Sequence, residues 1–295
     1  TKDIALELLK KYSVKGGVGK VFEYAGEGLK HLEIPQRMTI TNMGAEMGAT
    51  TSIFPTDEIT KEFFKAQNRL EDFTEFVADE GAIYDDEITI DMSKIIPLVA
   101  CPSQPDNIAD VNDEKFKDLK VSSVFIGSCT NASYGDIKKA AEILKGKKVS
   151  EDVELTIGVS TRAIFLQLLE EGTIAELVKS GARITEIACG ACDGIGGAPV
   201  SKGITVRTSN RNFKGRSGTV DAQIYLVSPE VAAATAITGK LTVANDVMSD
   251  VEKLNNILEP TEYVDPTLAE PIDLPTEPTI VPQEPDSLYS PNGSD

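Results

Sequence analysis

Residues 121–158 read VSSVFIGSCTNASYGDIKKAAEILKGKKVSEDVELTIG, and this stretch decides the fold class. An apolar run at 121–126 predicts a buried strand, and residues 134–145 carry apolar side chains at the spacing of one helix face. A second apolar run at 153–158 predicts the next strand. Strand, helix and strand in this order are typical of a parallel sheet covered by helices.

Similar patterns continue on both sides of this stretch. Residues 57–79 predict two helices separated near Asn68, and residues 38–49 are compatible with either a helix or a loop. The remaining predicted elements are a helix at 3–12, two short helices within 161–180, a helix from Pro229 to Ala236, and strands at 21–24, 87–91, 184–187 and 203–208.

These elements predict an α/β fold, with two three-layer α/β domains that have largely parallel sheets and an extended C-terminal tail. We place the first domain at 1–105, the second at 106–248 and the tail at 249–295. Residues 251–295 hold ten acidic residues, one basic residue and eight of the 15 prolines. This composition is typical of an extended linker or a disordered segment.

Composition limits the classes of function. Hydrophobic residues make up 41% and charged residues 26% of the 295 residues, as in ordinary globular proteins. No apolar run approaches the about 20 residues that a membrane-spanning helix needs. With 47 acidic and 29 basic residues the net charge is −18, so we expect neither nucleic acid nor membrane as a partner. Four cysteines are too few for a disulfide scaffold, which favours a reducing, cytoplasmic location.

Three of the cysteines follow predicted strands. Cys129 follows the strand at 121–126, whereas Cys189 and Cys192 form a CxxC pair after the strand at 184–187. Because the carboxyl ends of parallel strands share one edge of a sheet, we expect these thiols to converge. Three thiolates would leave one iron of a four-iron cluster open to act as a Lewis acid. A thioredoxin-like redox pair and small buried core residues are the alternatives.

Polar residues mark two further segments. Arg211 and Arg216 follow the strand at 203–208 and suit carboxylate binding, although they are equally compatible with a charged surface. Asn42 and Glu46 share one face if their segment is helical, which suits acid–base or positioning work. A solvated polar pair is the alternative for them. Cys101 has no motif around it, and we expect it in the core.

Four segments, taken in order, resemble the aconitase family in its shorter bacterial form. The resemblance runs from residue 1 to about residue 245. The segments are NMGAEMGATTSIFPTDE (42–58), GSCTNASYGD (127–136), ACGACDGIGGAP (188–199) and VRTSNRNFKGRSGTVDAQIYLVSPEVAAATAITGK (206–240).

The resemblance implies a hydro-lyase that interconverts citrate and isocitrate through aconitate with a 4Fe–4S cluster, one iron of which is labile. It also implies a tricarboxylic acid substrate. By motif, it assigns Cys129, Cys189 and Cys192 as the cluster ligands and Asn210 as a residue beside the cluster. It assigns Arg211 and Arg216 as contacts of the substrate carboxylates, and Asn42 and Glu46 as polar residues of the active site.

The resemblance also implies that this chain is a middle portion of a larger enzyme. The family's N-terminal segment and its last domain, which carries the serine base, have no counterpart here, and His31 matches no site residue. We therefore expect those flanking domains as partners and no activity from the chain alone. The alternatives are part of an isopropylmalate or homoaconitate dehydratase large subunit, an iron-responsive RNA-binding relative, and a cluster-free, inactive fragment.

Overall fold

The computed structural model describes residues 1–249, so the predicted tail at 249–295 lies outside the described residues from 250 onward. Within residues 1–249 the helices are Lys2–Tyr12 (α1), Ile34–Gly44 (α2), Glu58–Ala66 (α3), Tyr134–Leu144 (α4), Arg162–Glu170 (α5), Thr173–Ser180 (α6), Gly190–Asp193 (α7) and Pro229–Thr238 (α8). The strands are Val21–Glu23 (β1), Thr51–Ile53 (β2), Leu98–Ala100 (β3), Ile108–Asp110 (β4), Ser123–Ile126 (β5), Glu154–Ile157 (β6), Arg183–Ile184 (β7), Ile204–Arg207 (β8) and Gln223–Leu226 (β9). None of these helices is long and apolar enough to cross a membrane.

In the described part of the chain, seven strands form one sheet in the order β4-β3-β9-β8-β5-β6-β7. The strands from β9 to β7 run parallel, whereas β3 pairs antiparallel with both of its neighbours. Strands β1 and β2 form a separate parallel pair. The prediction of an α/β fold with a largely parallel sheet is confirmed.

The chain changes direction across the sheet between β5 and β8. From β5 it passes outward through β6 to β7, and it then returns to place β8 on the other side of β5. Such a reversal opens a crevice beyond the carboxyl ends of the two strands, where α/β proteins usually bind ligands.

Helices cover both faces of the sheet. Val206 and Tyr225 point to one face and share a buried cluster with residues of α4 and α8. Ile224 and Leu226 point to the opposite face and share a second cluster with Leu6 of α1. Neighbouring residues of β9 therefore belong to different layers, as the two-residue period of a strand requires.

The proposed domain boundary at residue 105 falls inside the β3–β4 hairpin. Val99 of β3 pairs with Ala109 of β4, while Ala100 pairs with Leu226 of β9. The N-terminal part of the chain thus contributes an antiparallel edge to the sheet that carries the cysteines. The division into units 1–105 and 106–248 stays a prediction, and the sheet itself does not mark it.

Some predicted elements differ from the structure. Residues 87–91 form no strand, because they are mostly exposed and pair with no other strand of the described chain. The second helix within 57–79 is absent, because Asn68 adopts a positive φ of 54° after α3 and only a short 3-10 turn follows at Leu70–Asp72. Strands β2, β4 and β9 have no counterpart among the predicted elements.

Leu6 provides a test of how α1 is anchored. Its side chain is fully buried between α1 and the sheet. We expect Leu6→Ala to lower the free energy of unfolding by about 2–5 kcal/mol, since truncation leaves a cavity as well as losing apolar contacts. Urea unfolding followed by circular dichroism measures this change.

The control is Leu169→Ala on α5, where the leucine is 48% exposed. We expect this variant to change stability by about 0.5 kcal/mol or less. Equal losses in both variants would contradict the packing of α1 described here.

Candidate active site

Cys129 lies just beyond the carboxyl end of β5, after a sharp turn. Ser128 adopts a positive φ of 75°, which is uncommon for a residue other than glycine. The thiol of Cys129 is exposed. Asn42 Nδ2 donates a hydrogen bond to Cys129 Sγ at 3.4 Å, and Thr130 Oγ1 donates to Asn42 Oδ1 at 2.9 Å. These two contacts fix the orientation of the Asn42 amide toward the sulfur atom.

Glu46 lies one turn beyond Asn42, in the 3-10 turn Ala45–Met47 that continues α2. Its Oε1 atom accepts hydrogen bonds from Asn210 Nδ2 and from Arg211 Nε, each at 2.8 Å. Asn210 and Arg211 follow β8 directly. The end of α2 therefore spans the crevice, with Asn42 contacting the loop after β5 and Glu46 contacting the loop after β8.

The CxxC segment follows β7 and includes the short helix α7. Cys189 is exposed, whereas Cys192 is buried. The Arg216 guanidinium donates to Cys192 Sγ at 3.6 Å and to the Cys192 carbonyl at 3.3 Å, and it forms an ion pair with Asp193. Arg216 thus faces the CxxC segment, and its charge is already paired with a carboxylate.

The three thiols of the two motifs interact electrostatically. Burial raises the pKa of the Cys192 thiol; Arg216 and Arg207 oppose this rise, and Cys129 and Cys189 add to it. Within residues 1–249, no three His, Cys, Asp or Glu side chains are grouped to hold a single metal ion. A four-iron cluster needs a wider spacing, because each thiolate binds a different iron. The donor set of three thiols therefore fits a cluster better than a single ion.

Cys101 lies apart from these thiols. It is buried in the cluster of apolar residues beneath α4 and α8, and burial raises the pKa of its thiol. The prediction that Cys101 packs in the core is confirmed. The cysteine therefore provides a natural control for substitutions of the other three.

Lys2 is a buried residue at the crevice that the sequence analysis missed. Its side chain is 1% exposed, and its Nζ atom donates to the carbonyls of Thr208 and Ser209 at 2.9 and 2.8 Å. Burial lowers the pKa of Lys2 to about 7, although acidic groups including Asp136 oppose the shift. Nothing local distinguishes Lys2 from a surface lysine, because its partners lie more than 200 residues away in sequence.

Arg207 is the second buried cation that the sequence analysis missed. It ends β8, is 1% exposed, and donates to the carbonyls of Ala191 and Gly197, each at 2.6 Å. Burial lowers the pKa of its guanidinium to about 10. An arginine within the otherwise uncharged strand Ile204–Arg207 was the available signal for a buried role.

The sequence model of the family described as "Aconitase family (aconitate hydratase)" matches residues 1–239. The chain belongs to the aconitase family. The resemblance inferred from the four motifs is confirmed.

Curated relatives of this chain are large subunits of 3-isopropylmalate dehydratase. The chain is 40% identical over 84% of its length to that of Clostridioides difficile (strain 630), and the match covers 59% of the relative. It is 40% identical over 82% of its length to large subunit 1 of Thermotoga maritima and over 81% to large subunit 2 of Archaeoglobus fulgidus, with 58% and 57% of the relative covered. The chain thus spans less than three fifths of the length of these relatives.

The buried Lys2 predicts a specific pH dependence. Its pKa of about 7 in the folded state is below the about 10.4 of an unfolded lysine, so the unfolded state binds more protons between these values. The Lys2 contribution to the free energy of unfolding should therefore rise with pH from 7 to about 10, by at most about 1.4 kcal/mol per pH unit. We expect Lys2→Met to abolish this rise, as measured by urea unfolding across the pH range.

Lys10→Met on the same helix is the control, since Lys10 is exposed and pairs with Glu7 on the surface. This variant should keep the wild-type dependence on pH. A Lys2→Met profile parallel to the wild-type profile would contradict the buried environment of Lys2.

Proposed function

We propose that this chain is the cluster-binding portion of an aconitase-family hydro-lyase of the 3-isopropylmalate dehydratase large-subunit type. The observation that carries the proposal is the convergence at one crevice of Cys129, held by Asn42, with Glu46, held by Asn210 and Arg211. The crevice lies at the strand-order reversal, where such folds bind ligands.

In this proposal Cys129, Cys189 and Cys192 hold a 4Fe–4S cluster. When bound, the cluster supplies one iron without a protein ligand, which acts as a Lewis acid toward a substrate hydroxyl. Asn42 and Arg216 donate hydrogen bonds to the sulfur atoms of Cys129 and Cys192. Such bonds orient each sulfur atom as a ligand.

Glu46 is proposed to hold or move a proton during removal and addition of water. Its Oε1 atom accepts two hydrogen bonds, whereas its Oε2 atom has no hydrogen-bond partner in the described part of the chain. The Glu46 side chain is 9% exposed, and in this proposal Oε2 binds a substrate hydroxyl or a water molecule. Asn210 and the Nε of Arg211 keep this carboxylate in place, and Asn42 orients the loop after β5.

Arg211 and Arg216 are proposed to act on the substrate in different ways. The Arg211 side chain is 44% exposed and uses Nε for Glu46, so its terminal nitrogens can bind a substrate carboxylate. Arg216 is only 15% exposed and pairs with Asp193, so a substrate carboxylate must compete with Asp193 for it. We assign Arg211 the stronger direct contact.

The proposed substrate is a hydroxy-dicarboxylic acid such as 3-isopropylmalate. The motifs by themselves favoured citrate and isocitrate, but the relatives at 40% identity are 3-isopropylmalate dehydratase large subunits. We also propose that polypeptide beyond this chain completes the site, whether as flanking domains or as a separate subunit. On that basis we expect the chain alone to bind substrate but to turn over little of it.

The cysteine ligands can be tested by iron content. After anaerobic reconstitution with iron and sulfide, we expect about four irons per chain, as a four-iron cluster requires. Cys129→Ser, Cys189→Ser and Cys192→Ser should each prevent stable assembly, because the cluster loses one of only three ligands. Analysis of iron and acid-labile sulfide, together with the visible spectrum, measures cluster content in the wild type and in each variant.

Cys101→Ser serves as the control, since this cysteine lies in the core. It should retain the wild-type iron content. Equal iron in all four serine variants would contradict the ligand assignment, and no iron in the wild-type chain would contradict the proposed function.

Substrate class can be tested by binding to the reconstituted chain. We expect 3-isopropylmalate to change the electron paramagnetic resonance spectrum of the reduced cluster at lower concentration than citrate does. Arg211→Met should weaken this binding about tenfold or more, because a charge-assisted bond to a carboxylate contributes about 1.5–3 kcal/mol. Titration of each acid gives the dissociation constants.

Arg69→Met is the matched control, because Arg69 is exposed and pairs with Asp72 away from the crevice. It should bind both acids as the wild type does. Tighter binding of citrate than of 3-isopropylmalate would favour the citrate–isocitrate reaction instead.

A further inference from the structure

Arg207 is a buried cation without a carboxylate partner. Its side chain is 1% exposed, yet it forms no ion pair with an Asp or Glu residue in the described part of the chain. Glu154, the carboxylate that most influences its pKa, is itself paired with Arg183. Five other arginines do form such pairs: Arg37, Arg69, Arg183, Arg211 and Arg216. An unpaired buried cation costs free energy, so its position calls for a compensating anion.

The guanidinium of Arg207 binds the backbone of the CxxC segment. Its two terminal nitrogens donate to the carbonyls of Ala191 and Gly197, and its Nε donates to Thr205 Oγ1. The group also lies over the ring of Phe125, 5.6 Å from its centroid. All three nitrogens are thus used, and two of them bind backbone just before and just after the stretch 192–196.

The fork of an arginine suits this arrangement better than an ammonium group would. A planar guanidinium presents donors in fixed directions, so it can bridge two carbonyls that lie six residues apart in sequence. The segment it holds packs closely against the loop after β8, since a side chain at Gly194 would collide with the Ser217 carbonyl. A small displacement of this segment would therefore move Cys192.

We propose that Arg207 is a positioning residue that holds the CxxC segment on the sheet and supplies the buried positive charge that balances the cluster thiolates. This inference rests on the proposed function, because it takes Cys189 and Cys192 as cluster ligands. The Cys192 thiol shares a small buried apolar group with Phe125 and Ala191, both of which Arg207 contacts. Sulfur is thus the anion-forming group placed to balance Arg207.

Two substitutions separate the charge of Arg207 from its fork geometry. Arg207→Met removes both, and Arg207→Lys keeps the charge while losing the two-carbonyl bridge. The measurements, on the reconstituted chain, are the reduction potential of the cluster and the rate of iron loss to a ferrous chelator. Arg183→Met is the matched control, because Arg183 also donates to this segment, at the Gly196 carbonyl, but is exposed and paired with Glu154.

We expect Arg207→Met to shift the reduction potential to more negative values, because removing a nearby cation disfavours the added electron. Iron loss should be about 10- to 100-fold faster, as for other residues that support metal ligands. Arg207→Lys should keep a potential close to that of the wild type but still lose iron faster. Arg183→Met should keep the wild-type reduction potential, because the exposed charge of Arg183 is already paired with Glu154.

An unchanged potential in Arg207→Met would overturn the proposal, as would a wild-type rate of iron loss in Arg207→Lys. If Arg207→Met does not fold, Arg207→Lys decides: faster iron loss at an unchanged potential supports the proposal, and any other result overturns it. A wild-type chain that binds no iron overturns the proposed function and this inference together. If the wild-type chain binds iron and both Arg207 variants match it in reduction potential and in rate of iron loss, this inference alone is overturned.

Discussion

The parallel pairing of β5 with β8 is the constraint on which the candidate site depends. Val124 lies opposite Val206, and Phe125 lies opposite Arg207, so both strands end at the same level of the sheet. The loops that carry Cys129 and Asn210 therefore emerge side by side, within reach of α2. A shift in register by one residue would turn Arg207 toward the layer of α4 and α8 and separate it from the CxxC segment.

The sequence alone was sufficient for elements whose apolar pattern matches the burial they achieve. Strand β5 and helix α4 are examples, since the continuous apolar run of β5 gives three consecutive buried residues and α4 carries its apolar residues at helical spacing. The alternating apolar and polar residues at 87–91 were misleading. Such a pattern is a property of one segment, whereas a strand forms only when the segment pairs with another strand. Strand β9 has no predicted counterpart, although Ile224 and Leu226 face one side of the sheet and Tyr225 the other. It follows a long loop, so it lacks the preceding helix that marks the other parallel strands.

The candidate site divides in the same way. Cys129 and Arg211 were predicted because both follow strands of the parallel sheet, whereas Asn42 and Glu46 were predicted from a shared helix face and from the family motif. The partnership of Glu46 with Arg211 was not predictable, since it joins residues 165 positions apart in sequence. Lys2 and Arg207 were missed for a related reason. Charged residues are usually solvated, and only the folded chain shows that their partners are backbone carbonyls in the loops after β8 and β7.

Charge distribution bears on how so acidic a chain could bind the dicarboxylate substrate proposed above. The net charge of −18 would repel a dicarboxylate at long range, but at physiological ionic strength interactions decay over about 8 Å. Arg207, Arg211 and Arg216 all lie at or beneath one crevice, and Arg207 lacks a carboxylate partner among the described residues. An anion that reaches the crevice therefore encounters local positive charge, while most of the acidic surface is screened. The same cations would balance the negative charge of the thiolates, so the same positive charges would stabilise both the bound cluster and the bound substrate.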